Sequence, residues 1–404
     1  MAPPPVRIAI IGLSQHATTS WASLAHLPSL LTNAGRQRFQ IVALCNSSVA
    51  SAEAAIRVYG LDPATVKAYG SPADLAADPD VDVVLCATRV DTHYATALPS
   101  IEAGKDVLIE WPIAANPSET QRLVAAAKKH SGSSTVFVGV QRRYAPAVRK
   151  VKALLEAGAI GQLLNVQVNA HGADMSPGRW PAGLKYFAQR AVGGNPITIG
   201  VGHLLDAVES AAGDIVPGTI HAHSQLQTPG IAIFDPATGE VTETVTSDVP
   251  DLLSLHGLLA PRTHSKEPAT LTFQYQSGYP FPGQPALDWT LTGAAGKIRV
   301  VDPSGIYFQE SGKVRVGEDE GPCEVTIRLH RAGADAAETV PWEYSAVQKE
   351  VPVAGRSMQT LLYAYADAKR GVGPDVRRSS DWPDLERTAA RAYEIDRWMG
   401  VDEN

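Results

Sequence analysis

The sequence predicts an α/β protein that begins with a doubly wound parallel sheet and continues into an α+β region with a large, mostly antiparallel open sheet. Two observations support this fold class. From 6 to about 140, short apolar runs typical of strands buried on both faces alternate with amphipathic helical segments. After about 151, strand-like runs alternate apolar and polar residues with a period of two, which is typical of a sheet with one covered face.

Length and composition indicate two domains. The chain has 404 residues, is 44% hydrophobic and 19% charged, and is therefore too long for one core and too apolar to be disordered. We expect one domain at 1–140 and a second at 141–404, with C-terminal helices at about 357–400 that pack back on the first. The net charge of -7 is not concentrated in runs, so we expect no direct nucleic-acid partner.

The distribution of cysteines and apolar residues indicates a cytoplasmic protein. Cys45, Cys86 and Cys323 are far apart in the sequence and odd in number, which favours a reducing compartment over a disulfide framework. The first residues contain no apolar run of signal-peptide length behind a basic end. No stretch reaches the roughly 18 uncharged apolar residues of a membrane span, so we expect no membrane partner.

The first domain contains strand-like runs separated by helices. The runs are "VRIAIIG", "FQIVALCN", "VDVVLCAT", "DVLIEWP" and "TVFVGVQ". Asn116 and Pro117, followed by Glu119, are typical of a helix start, and Gly104 is typical of a helix end. Because parallel strands need right-handed crossovers, this alternation predicts a Rossmann sheet.

The second domain begins with one helix, "PAVRKVKALLEAG", and continues with strands such as "LLNVQVNAH", "ATLTFQYQSG" and "EVTIRLHR". The region 225–266 is rich in Pro, Thr and Asp, and we predict long surface loops there. The segments "TLTFQYQ" and "LDWTLTG" leave one sheet face uncovered. Since large exposed apolar patches usually mark interfaces, we predict a homodimer formed through this face.

The end of the first strand has the spacing of a dinucleotide-binding turn. Gly12, Ser14 and Ala17 follow the pattern G-x-S-x-x-A, with Leu13 between the first two. A glycine permits the tight turn, a small second residue lets the backbone approach a pyrophosphate, and a small third residue allows close helix packing. We therefore predict that a dinucleotide binds over 12–17.

The end of the second strand does not choose between NAD and NADP. A carboxylate there normally binds the adenosine ribose, and an arginine or lysine accepts a 2'-phosphate. Asn46 and Ser47 provide neither charge. Their amide and hydroxyl groups suit either nucleotide, so NAD or NADP remains the expected cofactor.

Four further motifs resemble the glucose-fructose oxidoreductase / inositol dehydrogenase (Gfo/Idh/MocA) family. They are Thr88 to His93, Glu110-Trp111-Pro112, Gln141 to Tyr144 before a helix, and "GGNPITIGVGHLLD" from Gly193 to Asp206. The combination of "RVDTHY", "EWP" and the Thr198 to Asp206 segment is most similar to the branch that contains the fungal galactose-regulon repressor. The resemblance extends over nearly the whole chain.

The resemblance implies a set of cofactor contacts. They are Ala87, Thr88, His93, Glu110, Trp111, Pro112 and Gln141. Trp111 stands where the family has a lysine that reaches the nicotinamide and the reacting carbinol, and Ile199 stands where it has an aspartate. Trp111 is then either a flat apolar wall of the site or a residue that packs against the second domain.

Three residues are candidates for proton transfer. His203 occupies the family's histidine position, and imidazole titrates near neutral pH, but a core histidine bonded to Asp206 is the alternative. Lys185 and Tyr186 form an adjacent cation and acid, or else a surface lysine beside a core tyrosine.

Two further side chains lie near Lys185 and Tyr186 in the sequence. Arg179 and Trp180 either bind substrate oxygens and a ring or close the loop. The histidines lack acid or cysteine companions at ligand spacing, so we expect no metal.

Three functions follow from these motifs. The first is an NAD(P)-dependent oxidoreductase that moves a hydride between nicotinamide and a carbonyl or secondary alcohol of a sugar-like or natural-product small-molecule substrate. The second is a dinucleotide-binding transcriptional regulator of the galactose-repressor type, without turnover and with a protein partner. The third uses a bound cofactor without net turnover, through transient oxidation of a sugar that permits elimination or glycoside cleavage.

Overall fold

The structure is a computed structural model that describes residues 3–14, 20–172, 176–262, 265–309, 324–379 and 381–400. The first domain is a six-stranded parallel sheet. Its strands are β1 (Val6–Ile11), β2 (Phe39–Cys45), β3 (Lys67–Tyr69), β4 (Val83–Cys86), β5 (Asp106–Glu110) and β6 (Val136–Gly139). The order β3-β2-β1-β4-β5-β6 places β1 beside β4 where the winding reverses, which confirms the predicted doubly wound sheet.

Helices connect these strands. They are α1 (Leu27–Leu31), α2 (Asn33–Arg36), α3 (Val49–Val58), α4 (Pro72–Ala76), α5 (His93–Glu102) and α6 (Pro117–Lys128). The predicted start of α6 is confirmed, because the Asn116 side chain accepts a hydrogen bond from the Glu119 backbone N–H. Gly104 follows α5 with a φ of 72°, which lets the chain reverse into β5.

The second domain contains α7 (Pro146–Glu156), α8 (Gly202–Ala212) and two sheets. Its strands are β7 (Leu163–Gly172), β8 (Arg179–Pro181), β9 (His221–Gln225), β10 (Gly230–Phe234), β11 (Val241–Thr246), β12 (Leu252–Leu259), β13 (Ala269–Ser277), β14 (Leu287–Gly293), β15 (Gly296–Asp302), β16 (Thr326–Arg331) and β17 (Glu338–Thr339). The large sheet has the order β17-β16-β15-β14-β7-β13-β12-β9, and only its β7–β13 pair is parallel. This confirms the predicted open sheet.

The prediction of long surface loops at 225–266 is wrong, because this region contains β10, β11 and β12. β12 pairs with β13 along its whole length, and β10 pairs with β11. Most of the side chains of β11 are exposed, so this strand lacks the alternation that marks a half-buried strand in sequence. β11 forms its backbone hydrogen bonds with β10, and this pairing leaves no pattern in the local sequence from which it could be predicted.

The uncovered face of the large sheet is polar along its central strands. Leu271 and Phe273 of β13 point to the buried face. The outward-facing side chains of β7 and β13 include Gln167, Asn169, Thr270, Thr272, Gln274 and Gln276. The large apolar patch on which the homodimer prediction rested is therefore absent from these strands. The homodimer stays a prediction.

The last two helices lie against the first domain. They are α9 (Val353–Lys369) and α10 (Leu385–Trp398). α9 packs on α1 and on the short π-helix Ala22–His26 that precedes α1, while α10 packs on α6. Tyr365 of α9 donates its hydroxyl hydrogen to Asp106 at 2.6 Å and stacks on Phe137 with ring centroids 4.8 Å apart. The carboxyl-terminal helices thus complete the core beneath β5 and β6.

Candidate active site

A cleft of about 760 Å³ opens at the carboxyl ends of the central parallel strands, between the two domains. This edge is where ligands bind in doubly wound sheets. The predicted cofactor residues that line the cleft are Gly12, Ala87, Thr88, His93, Glu110, Trp111, Pro112 and Gln141, all but the last from the first domain. The facing wall includes Tyr186, Ile199, His203 and Tyr307. The fold therefore gathers most of the predicted site at one place.

Gly12 makes the turn after β1 and fits a dinucleotide-binding role. Its φ is 97°, a backbone conformation that residues with a Cβ rarely adopt. A Cβ here would lie 2.6 Å from the Ala87 carbonyl oxygen and 2.8 Å from Cγ2 of Thr88. The turn at Gly12 therefore packs closely on the loop after β4, at the switch point between β1 and β4 where a pyrophosphate needs close approach of the backbone.

The residues after Gly12 are held by hydrogen bonds to their backbone. Leu13 is buried, and its carbonyl oxygen accepts from Asn46 Nδ2 at 2.8 Å. The Ser14 carbonyl oxygen accepts from the Tyr59 hydroxyl at 3.4 Å. Ala17, the third position of the predicted turn motif, lies outside the described residues. The described part of the turn is therefore fixed in place.

Asn46 and Ser47 contribute differently from each other. Besides its bond to Leu13, Asn46 Nδ2 donates to the Ser51 carbonyl oxygen at 3.3 Å, which ties the turn after β1 to α3. Asn46 Oδ1 is buried and has no partner among the described residues. Ser47 is exposed. Neither side chain adds a charge beside the end of β2, so the structure favours neither NAD nor NADP here.

Glu110 ends β5 in a buried pair with His26. The distance between Glu110 Oε1 and His26 Nε2 is 2.7 Å, and His26 is fully buried. A Cβ at Gly139 would lie 2.5 Å from Glu110 Oε1, so β6 leaves room for the carboxylate. Sequence reasoning missed His26, which is 84 positions from Glu110 and carries no motif of its own.

Trp111 joins the cleft to the second domain. The peptide bond between Trp111 and Pro112 is cis. The indole is 6% exposed and donates its N–H to the Thr198 carbonyl oxygen at 2.6 Å. A Cβ at Gly202 would lie 2.6 Å from the indole nitrogen. Trp111 thus packs against the second domain and also lines the cleft.

His93 lies where it can hold two loops together. Its Nδ1 is 2.8 Å from the Pro112 carbonyl oxygen, and its Nε2 is 2.9 Å from the Thr88 carbonyl oxygen. Burial lowers the pKa of His93 below its usual value. A neutral ring can donate to only one of these two carbonyl oxygens. The ring nevertheless lies between the loop after β4 and the turn after β5 and contacts the backbone of both.

His203 is buried in the first turn of α8 and lines the cleft. Its Nδ1 has no hydrogen-bond partner among the described residues. Burial, together with the positive charge of Arg142, holds the pKa of His203 well below its usual value. Asp206 does not bond to this ring, because its carboxylate pairs with Arg143 and Arg391. The imidazole is therefore neutral near pH 7 and open to the cleft.

The structure separates the other two candidates for proton transfer. Tyr186 lines the cleft, and its ring centroid lies 5.6 Å from the guanidinium carbon of Arg89. Lys185 instead forms an ion pair with Glu243 at 2.7 Å, with its side chain 45% exposed. Adjacent residues in the 3-10 helix Ala182–Ala188 point in different directions, so only the tyrosine reaches the site. Lys185 is absent from the described lining of the cleft.

Arg142 and Tyr307 are site residues that sequence reasoning missed. Arg142 is 7% exposed, and its Nη1 donates to the carbonyl oxygens of Gly200 and Ile306, each at 3.1 Å. Its guanidinium carbon lies 4.4 Å from the Tyr307 ring centroid. The pair of arginines directly after Gln141 was a signal in the sequence that could have identified Arg142. Nothing in the sequence around Tyr307 indicated that it belongs to the site.

The described residues contain no group of three or more His, Cys, Asp or Glu side chains that could hold a metal ion. Within the same ranges, no helix has both the length and the apolar character that crossing a membrane requires.

Trp180 belongs to a buried cluster with Ala188, Ile231 and Ile233 and so packs in a core, whereas Arg179 stays exposed.

Comparison with known proteins decides the family. A family model described as "Oxidoreductase family, NAD-binding Rossmann fold" (GFO_IDH_MocA) matches residues 6–139. The chain is also 30% identical over 340 residues to dehydrogenase aclE of Aspergillus oryzae, which covers 83% of this chain and 88% of the relative. The chain belongs to the GFO_IDH_MocA oxidoreductase family. Its first domain is the NAD-binding Rossmann fold of that family.

Within the GFO_IDH_MocA family, the second domain is of the Gal80p type. A model of the Gal80p C-terminal domain matches residues 146–301. The chain is 25% identical over 339 residues to the galactose/lactose metabolism regulatory protein GAL80 of Saccharomyces cerevisiae, covering 82% of this chain and 71% of the relative. A crystal structure of a super-repressor mutant of that Gal80p has the same fold, with a TM-score of 0.79 at 19% identity over 98% of this chain and 96% of the other.

Proposed function

We propose that the protein is an NAD(P)-dependent oxidoreductase that transfers a hydride between nicotinamide and a carbonyl or secondary alcohol of a small molecule. The observation that carries this proposal is the cleft itself, in which the glycine turn at Gly12 opens toward the same space as His203 and Tyr186. The likeness to dehydrogenase aclE supports it. The residues that would hold the dinucleotide are Gly12, Ala87, Thr88, Glu110 and Pro112.

A bound nicotinamide supplies or accepts the hydride. When an alcohol is oxidised, the carbon–hydrogen bond breaks with its electron pair, and the hydroxyl proton must leave the substrate oxygen. His203 is the first group for that proton, because its ring lines the cleft and is held neutral. Tyr186 is the second. The buried indole of Trp111 keeps water from one side of the site.

Binding of the cofactor is tested first. Calorimetric titration with NAD+ and with NADP+ measures the affinity for each nucleotide in the absence of substrate. The absorbance of reduced nicotinamide with a panel of alcohols and carbonyls then measures turnover. Failure of both nucleotides to bind would overturn the proposal.

Variants then test the proton-transfer residues. Because a general acid or base usually contributes about a hundredfold, His203→Ala should lower turnover by about that factor and leave nucleotide affinity nearly unchanged. Tyr186→Phe keeps the ring and tests the alternative. Lys185→Met, outside the cleft lining, is the matched control and should turn over at the parent rate. Parent rates in both His203→Ala and Tyr186→Phe would show that neither side chain handles the proton.

A second candidate function is a dinucleotide-binding regulator without turnover. The observation in its favour is the Gal80p-type second domain at 146–301. The resemblance of the sequence motifs also implies that the family has a lysine where this chain has Trp111. A regulator of this kind would bind nucleotide tightly, reduce or oxidise no member of the substrate panel, and use its surface to hold a protein partner. Tight nucleotide binding without turnover would place this function first.

A further inference from the structure

A second chamber of about 600 Å³ adjoins the cleft. Trp21, Arg142, Leu184, Phe187, Ile199 and Tyr307 line both spaces. The two spaces therefore lie side by side, and each falls in the range of about 300–1,000 Å³ that is typical of ligand pockets. One ligand can place its reacting group in the cleft and a further part in the second chamber.

Aromatic side chains dominate the second chamber. They are Trp21, Phe187, Phe234, Tyr275, Tyr279 and Tyr307. They come from distant parts of the sequence, since Phe234 lies on β10 and Tyr275 on β13. Flat rings of this kind present apolar faces that pack on planar groups. The lining thus favours a planar ligand over one that is polar on all sides.

Two arginines lie in the described wall of the second chamber. Arg142 and Arg179 line it, and no Asp or Glu does so among its described lining residues. The guanidinium carbon of Arg179 lies 4.3 Å from the Phe234 ring centroid, and Nη2 of Arg179 donates to the Gly239 carbonyl oxygen at 2.8 Å. Arg142 is placed in the same way over Tyr307. Each arginine is thereby held beside an aromatic ring.

These features separate two classes of substrate. A polyol needs many side-chain acceptors, above all carboxylates, for its hydroxyl groups, because an unpaired polar group in a pocket costs free energy. A planar aromatic acid needs flat walls for its ring and a cation for its acidic group. The described lining of the chamber offers flat rings and two arginines, which is the second set.

We propose that the second chamber binds a planar aromatic part of the substrate that carries an acidic group, near Arg142, Arg179 and Phe234. This inference rests on the proposed oxidoreductase function for the reaction, but the binding of the aromatic part does not depend on turnover. It assigns a substrate class that differs from a simple sugar. It also gives Arg179 a role at the mouth of the site.

The test uses three probes in calorimetric titrations of the whole chain, with and without saturating NAD+. The probes are 2-naphthoate, D-glucuronate and 2-naphthalenemethanol. The first two carry the same carboxylate on an arene and on a polyol, whereas the third has the arene without the charge. We expect 2-naphthoate to bind at least about tenfold more tightly than either of the others.

A pair of glycine variants locates the binding site. A Cβ at Gly200, which lines the second chamber but not the cleft, would meet only Cδ1 of Ile306, at 3.4 Å. Gly200→Leu should therefore fill the chamber and weaken 2-naphthoate binding at least about tenfold. At Gly230 a Cβ would meet nothing within 4 Å, so Gly230→Leu is the matched control and should keep parent affinity. NAD+ titration of both variants reports an intact cleft.

A charge variant tests the acidic group. Arg179→Gln should weaken 2-naphthoate binding and leave 2-naphthalenemethanol binding unchanged. Equal affinity for 2-naphthoate and D-glucuronate would overturn the inference, and so would parent affinity for 2-naphthoate in Gly200→Leu. If NAD+ still binds in that case, the proposed function is not refuted. Failure of the parent protein to bind either NAD+ or NADP+ would instead refute the proposed function, and titrations with the three probes would still show whether the chamber binds an aromatic acid.

Discussion

Trp111 donates its indole N–H to the carbonyl oxygen of Thr198 at 2.6 Å, and this bond ties the end of β5 to the segment that leads into α8. The indole lies against the backbone at Gly202, where a Cβ would come within 2.6 Å of the ring nitrogen. The strand "DVLIEWP" thus ends in a tryptophan for a structural reason. Trp111 fixes the spacing between the two domains at the cleft.

Replacing Gly202 with Ala should destabilise the protein. The new methyl group overlaps the buried indole of Trp111, whose N–H is bonded to the Thr198 carbonyl oxygen, and overpacking of this kind costs about 1–3 kcal/mol. The free energy of unfolding in urea measures the effect. Gly200→Ala is the matched control two residues earlier, because its Cβ meets only Ile306 Cδ1 at 3.4 Å. If Gly200→Ala were less stable than Gly202→Ala, the contact with Trp111 would not be the cause of the lost stability.

Replacing Asp206 with Asn should be strongly destabilising. Asp206 is fully buried and pairs with Arg143, at 2.9 Å between Oδ2 and Nε, and with Arg391. These contacts join α8 and α10 to the turn that carries Arg142. Removing the negative charge leaves two buried guanidinium groups under-compensated, since only Glu209 of α8 remains near Arg391, and breaking such a pair costs about 3–5 kcal/mol.

The control for Asp206→Asn is Asp288→Asn on the large sheet. Asp288 pairs with Arg299 at 2.6 Å, but the side chains are 26% and 51% exposed. Water solvates and screens this pair, so its loss should cost less than about 1 kcal/mol. Chemical denaturation of both variants gives the comparison. Equal losses would contradict the importance of burial at Asp206.

The parallel sheet could be predicted from the sequence, because buried strands and amphipathic helices leave local patterns of apolar residues. The site was predictable where a motif marks a strand end, as at Gly12 and Glu110. Contacts across the chain leave no such pattern: His26 beside Glu110 and Thr198 beside Trp111 are 84 and 87 positions away. The strand β11 was missed for the same reason, since its partner β10 rather than its own side chains determines it.

Replacing Ser47 with Arg should shift cofactor preference toward NADP. Ser47 is exposed just after β2, where a cation accepts the 2'-phosphate in proteins of this fold. A new charge-assisted hydrogen bond contributes about 1.5–3 kcal/mol, so the NADP+ to NAD+ affinity ratio should rise about tenfold or more. Calorimetry with both nucleotides measures the ratio. Val58→Arg, 55% exposed at the other end of α3, should leave it unchanged. An unaltered ratio in Ser47→Arg would place the ribose elsewhere.

The depressed pKa of His203 should make the folded protein sensitive to acid. Burial and the Arg142 charge keep the ring neutral in the native state well below the pKa of about 6.5 that a histidine has in an unfolded chain. Below that pH the unfolded chain binds a proton at this residue that the native protein does not bind. The free energy of unfolding therefore falls as the pH falls.

His203→Gln removes this titration and should reduce the acid sensitivity. Between pH 7.5 and 5.5, the parent protein should lose about 1 kcal/mol more of its free energy of unfolding than the variant, because one unit below the unfolded pKa corresponds to about 1.4 kcal/mol. Urea denaturation without nucleotide at both pH values gives the difference. His93, whose pKa burial also lowers, is present in both proteins, so its contribution cancels. Equal losses in parent and variant would mean that the imidazole of His203 is already charged in the native cleft.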